Sequence, residues 1–70
     1  MSKVVLITGC STGIGRHLAQ RLTQSGYTVV ATARKAETLD DLSVSLKLPL
    51  DVTQSDSVKA AVARTIQQFG

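Results

Sequence analysis

Thr8-Gly9-Cys10-Ser11-Thr12-Gly13-Ile14-Gly15 gathers three of the chain's five glycines into one short turn. Before it, Val4-Val5-Leu6-Ile7 is an unbroken β-branched and aliphatic run, which suits a strand buried on both faces. Strand one is therefore read as residues 3–8. After it, Ile14, Leu18 and Leu22 recur at helical spacing with Ala19 beside them, while Arg16, Gln20, Arg21 and Gln24 fall opposite. The glycines thus stand where a buried strand turns into an amphipathic helix. A glycine turn lets an anionic ligand approach the backbone, and the helix N-terminus offers free N–H groups and a partial positive charge. Ser11 and Thr12 add hydroxyl donors. No Gly-Lys-Ser/Thr closes the loop, so a phosphoryl-transfer P-loop is excluded. Nor is the spacing Gly-x-Gly-x-x-Gly, because Leu18 stands where its third glycine would be.

Ser25-Gly26 ends the first helix, with Gly26 in the left-handed terminating position. Tyr27 to Ala33 is β-branched and apolar again and reads as strand two. Residues 35–42 form a short helix in this reading and bury Leu39 and Leu42. Leu46, Leu48 and Leu50 alternate with Lys47 and Pro49, which makes a third strand. Pro49 puts that strand at an edge because it cannot donate to a ladder. Thr53 and Asp56 fit an N-cap and its third helical residue, and Val58, Val62, Thr65, Ile66 and Phe69 line one face of the helix that follows. Strands alternating with helices imply right-handed crossovers and a parallel sheet in the order 3-2-1. Strand one then has an open edge made of the most apolar segment. The last helix ends where a crossover would bring a fourth strand to that edge, so the 70 residues read as the first half of a larger domain.

Composition narrows the classes further. With 43% apolar and 19% charged residues and one proline, the chain is globular rather than disordered or fibrous. A lone Cys10 forms no internal disulfide, and one Cys with one His makes no closed zinc site, so no metal is expected. The apolar run at Val4–Ile7 is too short for a secretory or spanning segment, which with the unpaired cysteine points to the cytoplasm and to no membrane. Residues 1–35 carry Lys3, Arg16, Arg21, Arg34 and Lys35 and no acid, whereas the second half is net acidic within a total of +3. That asymmetry suits a phosphorylated small molecule better than nucleic acid. Tyr27 and Phe69 are the only aromatics, so no stacking platform for bases exists, and the cations are split between a helix face and a turn.

The spacing Thr-Gly-x-x-x-Gly-x-Gly at residues 8–15 resembles the cofactor loop of the classical short-chain dehydrogenase/reductase family. Val29-Val30-Ala31-Thr32-Ala33-Arg34 is similar to that family's second strand and charge-reading turn, and Leu50-Asp51-Val52-Thr53 resembles its adenine-contacting segment. The resemblance covers all 70 residues. It implies an α/β, Rossmann-type doubly wound parallel sheet, of which residues 1–70 are the N-terminal half, β-α-β-α-β-α, ending before strand four. It also implies a dinucleotide coenzyme held by Gly9, Ser11, Thr12, Gly13, Ile14, Gly15, Arg34, Asp51 and Val52. At the end of strand two an acid reads the ribose of NAD and a base admits the 2′-phosphate of NADP. Here Ala33 takes the acidic position and Arg34 follows, so NADP is expected over NAD, although Thr12 replaces a basic residue that some relatives carry in the loop. Against this stands Arg34 as a solvated turn residue and Asp51 as a turn residue before the third helix. His17 reads as an exposed helix residue and Cys10 as a small filler of the loop.

Hydride transfer in the family uses a Tyr-x-x-x-Lys pair with a Ser and an Asn, and none of these can be placed. Four residues after Tyr27 comes Ala31, not Lys. The resemblance thus implies the NADP-binding part of an oxidoreductase that interconverts a carbonyl and an alcohol, homo-oligomeric as a parent protein, with catalytic residues beyond Gly70. The alternative is a non-catalytic nucleotide-binding or interaction module. The 70-residue chain by itself is expected to turn over no carbonyl, because it holds no tyrosine–lysine pair to move the proton. NADPH oxidation by the purified chain above the rate without protein would contradict this.

Overall fold

The computed structural model describes residues 3–70. Three strands, β1 (Val4–Ile7), β2 (Thr28–Ala33) and β3 (Leu46–Pro49), alternate with helices α1 (Gly13–Gln24) and α2 (Ser55–Phe69). The strands form one parallel sheet in the order β1-β2-β3, with Val4 opposite Thr28 and Val30 opposite Leu46 at the start of each ladder. This is the order expected from the sequence. β3 lies at an edge, as Pro49 requires, and the ladder passes beyond it through the Leu50 N–H, which donates to the Ala33 carbonyl at 2.8 Å.

Alternation along β2 divides the core. Val29, Ala31 and Ala33 join Ile7, Cys10, Ala19, Leu39 and Leu42 in one buried cluster, with Val5, Leu22 and Val44 packed against it. Val30 and Thr32 point to the other face and are fully buried as well. A buried hydroxyl needs a partner, and Thr32 Oγ1 donates to the Ile7 carbonyl at 2.8 Å. The α1 helix ends as its sequence dictates, with Gly26 at φ +93° after Ser25.

Five local expectations are corrected. Residues 35–42 do not make an α-helix: only Ala36–Leu39 close a 3-10 turn, which still buries Leu39 and, just beyond it, Leu42. The capping box on Thr53 and Asp56 is absent because α2 starts one residue later than that cap requires, at Ser55. Gln54 precedes its first turn without a side-chain cap, and the Thr53 hydroxyl bonds Asp51 instead. The apolar stripe of α1 is only partly used: Ala19 is buried and Leu22 half-buried, but Ile14 is 86% and Leu18 44% exposed. On α2, Ala61 is buried whereas Val62 and Ile66 are exposed. Strand one is not covered on both faces either, since Val4 is exposed and Leu6 half-buried.

Among the described residues β1 pairs only with β2, so its outer edge is open beside an exposed valine. Unpaired apolar edges recruit further strands. The 70-residue polypeptide is accordingly expected to self-associate, with an unfolding transition that shifts with concentration. A sharp monomeric urea transition, independent of protein concentration in parallel sedimentation runs, would refute this.

Candidate functional site

The carboxyl ends of the three parallel strands open into a groove of about 780 Å³ lined by Gly9, Ser11, Ala33, Arg34, Lys35, Thr38, Leu50, Asp51 and Val52. Each strand contributes its following loop: Gly9 and Ser11 after β1, Arg34 and Lys35 after β2, Leu50 to Val52 after β3. Open α/β sheets place ligands at this end, and the volume lies within the range of small-molecule and cofactor sites.

Backbone geometry explains the glycines of the first loop. Gly13 has φ +61°, a left-handed conformation that side chains rarely adopt. Gly15 is needed for space: a β-carbon there would lie 2.5 Å from the Gly9 carbonyl oxygen and 3.0 Å from that of Thr8. The helix therefore begins directly against the end of β1. Between them Cys10 is buried, its N–H donating to the Thr32 carbonyl at 2.9 Å and its thiol to the Ile7 carbonyl at 3.3 Å. Burial pushes that thiol above the ordinary cysteine range, which makes it the loop's filler rather than a nucleophile.

The entrance to α1 carries no acid in its first turn, and the Thr12 hydroxyl makes no capping bond. The partial charge of its first-turn N–H groups is thus not offset by any acidic side chain of that turn, which suits an anion site. Opposite stand two cations. Arg34, with its side chain 82% exposed, lies 3.8 Å from Asp51 Oδ2, an ion pair of little energetic weight at that exposure. Asp51 is held mainly through its other oxygen: Oδ1 accepts from the Thr53 hydroxyl at 2.6 Å and the Thr53 N–H at 3.0 Å. Those bonds, with a smaller contribution from Arg34, hold the Asp51 carboxyl below the usual aspartate range. Any stability this adds is present above the unfolded pKa of aspartate and is lost as pH falls through the depressed folded value.

Of the residues singled out in the sequence, Gly9, Ser11, Arg34, Asp51 and Val52 come together on the groove. Thr12, Gly13, Ile14 and Gly15 lie beside it at the start of α1 and do not line it. Sequence reasoning passed over Lys35 and Thr38 as wall residues. The adjacent Arg34-Lys35 pair was a signal for the first, while Thr38 is brought in by the 3-10 turn. Arg16 was read only as a residue of the polar helix face, yet it pairs with Asp41 and donates to the Thr38 carbonyl at 3.5 Å, tying α1 to that wall.

The groove fits a dinucleotide on its own chemistry. An uncapped helix start reached over glycine suits a pyrophosphate, Ala33, Leu50 and Val52 offer apolar walls for a flat base, and Arg34 with Lys35 suits a further anionic group. Among the described residues no three His, Cys, Asp or Glu gather to hold a metal ion, and no helix is long and apolar enough to cross a membrane.

Comparison with known proteins agrees with this geometry. Residues 3–70 match the model of the short chain dehydrogenase family. The chain is 47% identical over 70 residues to an NADPH-dependent 1-acyldihydroxyacetone phosphate reductase of Schizosaccharomyces pombe, covering 96% of this chain and 23% of that protein. It is 52% identical over 64 residues to the short-chain dehydrogenase ptmH of Penicillium ochrochloron, covering 86% and 24% respectively. A short-chain dehydrogenase from Streptomyces avermitilis superposes with a TM-score of 0.90 at 36% identity, over 99% of this chain and 27% of that one. A 3-ketoacyl-(acyl-carrier-protein) reductase from Brucella melitensis, solved with NADH, gives 0.88 at 30% identity, over 97% and 30%. The chain thus spans about a quarter of the length of the relatives it matches.

Gly15→Ala is expected to destabilise the full-length protein. In an unconstrained helix the change gains about 1 kcal/mol. Here the new methyl meets backbone that cannot step aside, and overpacking of this kind costs about 1–3 kcal/mol, so the sign reverses. The urea midpoint of the variant checks it.

Proposed function

This chain belongs to the short-chain dehydrogenase family, and on that premise we propose that it is the N-terminal, coenzyme-binding part of an NADP-dependent oxidoreductase that interconverts a carbonyl and an alcohol. The observation that carries the coenzyme assignment is the end of β2, where Ala33 lines the groove with no carboxylate and Arg34 and Lys35 follow it. A 2′-phosphate finds charge-assisted donors there, whereas the ribose hydroxyls of NAD find no acidic acceptor at Ala33. Among the relatives the fission-yeast reductase is named as NADPH-dependent, and the Brucella neighbour was solved with NADH. Family membership alone therefore leaves the choice to these side chains.

In this reading Gly9, Ser11, Thr12, Gly13, Ile14 and Gly15 receive the pyrophosphate at the start of α1. Arg34 and Lys35 take the 2′-phosphate, and Asp51 with the Val52 N–H reads the adenine edge. A carboxylate accepts from an exocyclic amine, and a backbone N–H donates to a ring nitrogen. The bound coenzyme supplies or accepts the hydride. This chain's residues orient it, and none of those assigned here moves the substrate proton. Homo-oligomeric assembly and the cytoplasmic location belong to the same proposal.

The test is the ratio of kcat/KM for NADPH and NADH in the full-length protein. Wild type is expected to favour NADPH by about tenfold to a hundredfold, the range for hydrogen bonds to a charged group, with exposure drawing it to the lower end. Ala33→Asp combined with Arg34→Ala should invert the preference, and added salt should shrink the wild-type ratio. Equal use of both coenzymes by wild type, or no change in the variant, would reject the assignment.

A further inference from the structure

We propose that Thr53 is a positioning residue for base recognition: it holds Asp51 so that one carboxylate oxygen is kept available at the groove, where it selects a coenzyme base bearing an exocyclic amine over one bearing a carbonyl. This rests on the dinucleotide reading given above. Asp51 is fixed at three points. Its N–H donates to Ser57 Oγ at 2.8 Å, and the preceding residue, Leu50, is buried. Its Oδ1 accepts two bonds from Thr53, one from the hydroxyl at 2.6 Å and one from the N–H at 3.0 Å. Two donors converging on one oxygen fix both side-chain torsions.

The other oxygen, Oδ2, has Arg34 as its nearest cation, at 3.8 Å, which is beyond hydrogen-bond distance. An ionised carboxylate only accepts, so the free oxygen favours an amine and repels a carbonyl. Thr53 is exposed and does not line the groove, so any influence it has on a ligand passes through Asp51. Without the hydroxyl, Oδ1 keeps only the longer N–H bond, and the carboxylate must lose freedom on binding. Preorganisation of this kind is realised as selectivity. The same hydroxyl was expected to cap α2, and its use on Asp51 leaves that helix with no side-chain cap at Gln54.

The experiment measures dissociation constants of the full-length protein for NADPH and for its hypoxanthine analogue, in which the adenine amine is replaced by a carbonyl. Wild type is expected to prefer the adenine coenzyme by about tenfold, the lower end for a hydrogen bond to a charged group. Thr53→Val should shrink that ratio to about threefold or less, while Thr53→Ser, which keeps the hydroxyl, should restore it. In an Asp51→Asn background the added Thr53→Val should leave the ratio unchanged, because the two residues act as one unit. A Thr53→Val variant that weakens both coenzymes equally would overturn the proposal, since a merely structural role predicts that. So would a ratio that Thr53→Val lowers equally in the Asp51→Asn background, or a wild type that binds both coenzymes alike. A wild type that binds neither rejects the dinucleotide reading itself, and the proposal falls with it.

Discussion

The close approach of α1 to the end of β1 is the constraint on which the rest of the site depends. A β-carbon at Gly15 would stand 2.5 Å from the Gly9 carbonyl oxygen, so only glycine lets the helix begin where it does. The consequence is electrostatic as much as steric. With the helix seated against the strand end, its first-turn N–H groups open beside Gly9 and Ser11, which line the groove, and no acidic side chain of the first turn neutralises them. Moving the helix outward by the width of a methyl group would take those groups away from the groove and leave Arg34 and Lys35, in the loop after β2, facing an empty corner.

The same junction is held from the other side by hydrogen bonds rather than by packing alone. The Ile7 carbonyl, at the end of β1, accepts from the buried Thr32 hydroxyl and from the Cys10 thiol, while the Cys10 N–H carries the pairing on to the Thr32 carbonyl. Each of these polar groups is buried, so breaking one bond would leave an unsatisfied partner, which is more costly than the bond's own net contribution. By contrast the pairs that face solvent are weak. The Arg34–Asp51 contact at 3.8 Å and the Arg16–Asp41 pair steer side chains more than they stabilise the chain.

The sheet order, the glycine turn and Arg34 of the second loop were legible in the sequence because each depends on local signals. β-Branched runs specify strands, and glycine spacing specifies the turn. What was not legible depends on contacts between segments distant in sequence. Thr53 followed three residues later by Asp56 matches a capping box, yet Asp51 lies two residues before Thr53 and competes successfully for its hydroxyl. The 35–42 segment carries the apolar spacing of a helix, but burying both Leu39 and Leu42 beneath β2 is achieved by a single 3-10 turn followed by irregular chain. Periodicity on α1 and α2 likewise marks apolar positions without saying which of them this stretch of chain covers. Ala19 and Ala61 are buried, whereas Ile14, Val62 and Ile66 are exposed.

The groove gains its rigidity from buried residues that line it or stand next to those that do. Cys10 lies between Gly9 and Ser11, Ala33 precedes Arg34, Leu39 follows Thr38, and Leu50 precedes Asp51; all four of these neighbours are buried. Cys10, Ala33 and Leu39 belong to a single packed cluster, so the first two loops and the 3-10 turn share one foundation. A close-packed interior yields little to strain, and lining residues fixed to it lose little freedom when a ligand arrives. Asp51 differs because Leu50 stands outside that cluster and Val52 and Thr53 are exposed, so its orientation depends on hydrogen bonds accepted from Thr53 and one donated to Ser57 instead. One side of the groove is thus set by packing and the other by a short polar network. Selectivity on the second side is the more sensitive of the two to the loss of a single hydroxyl.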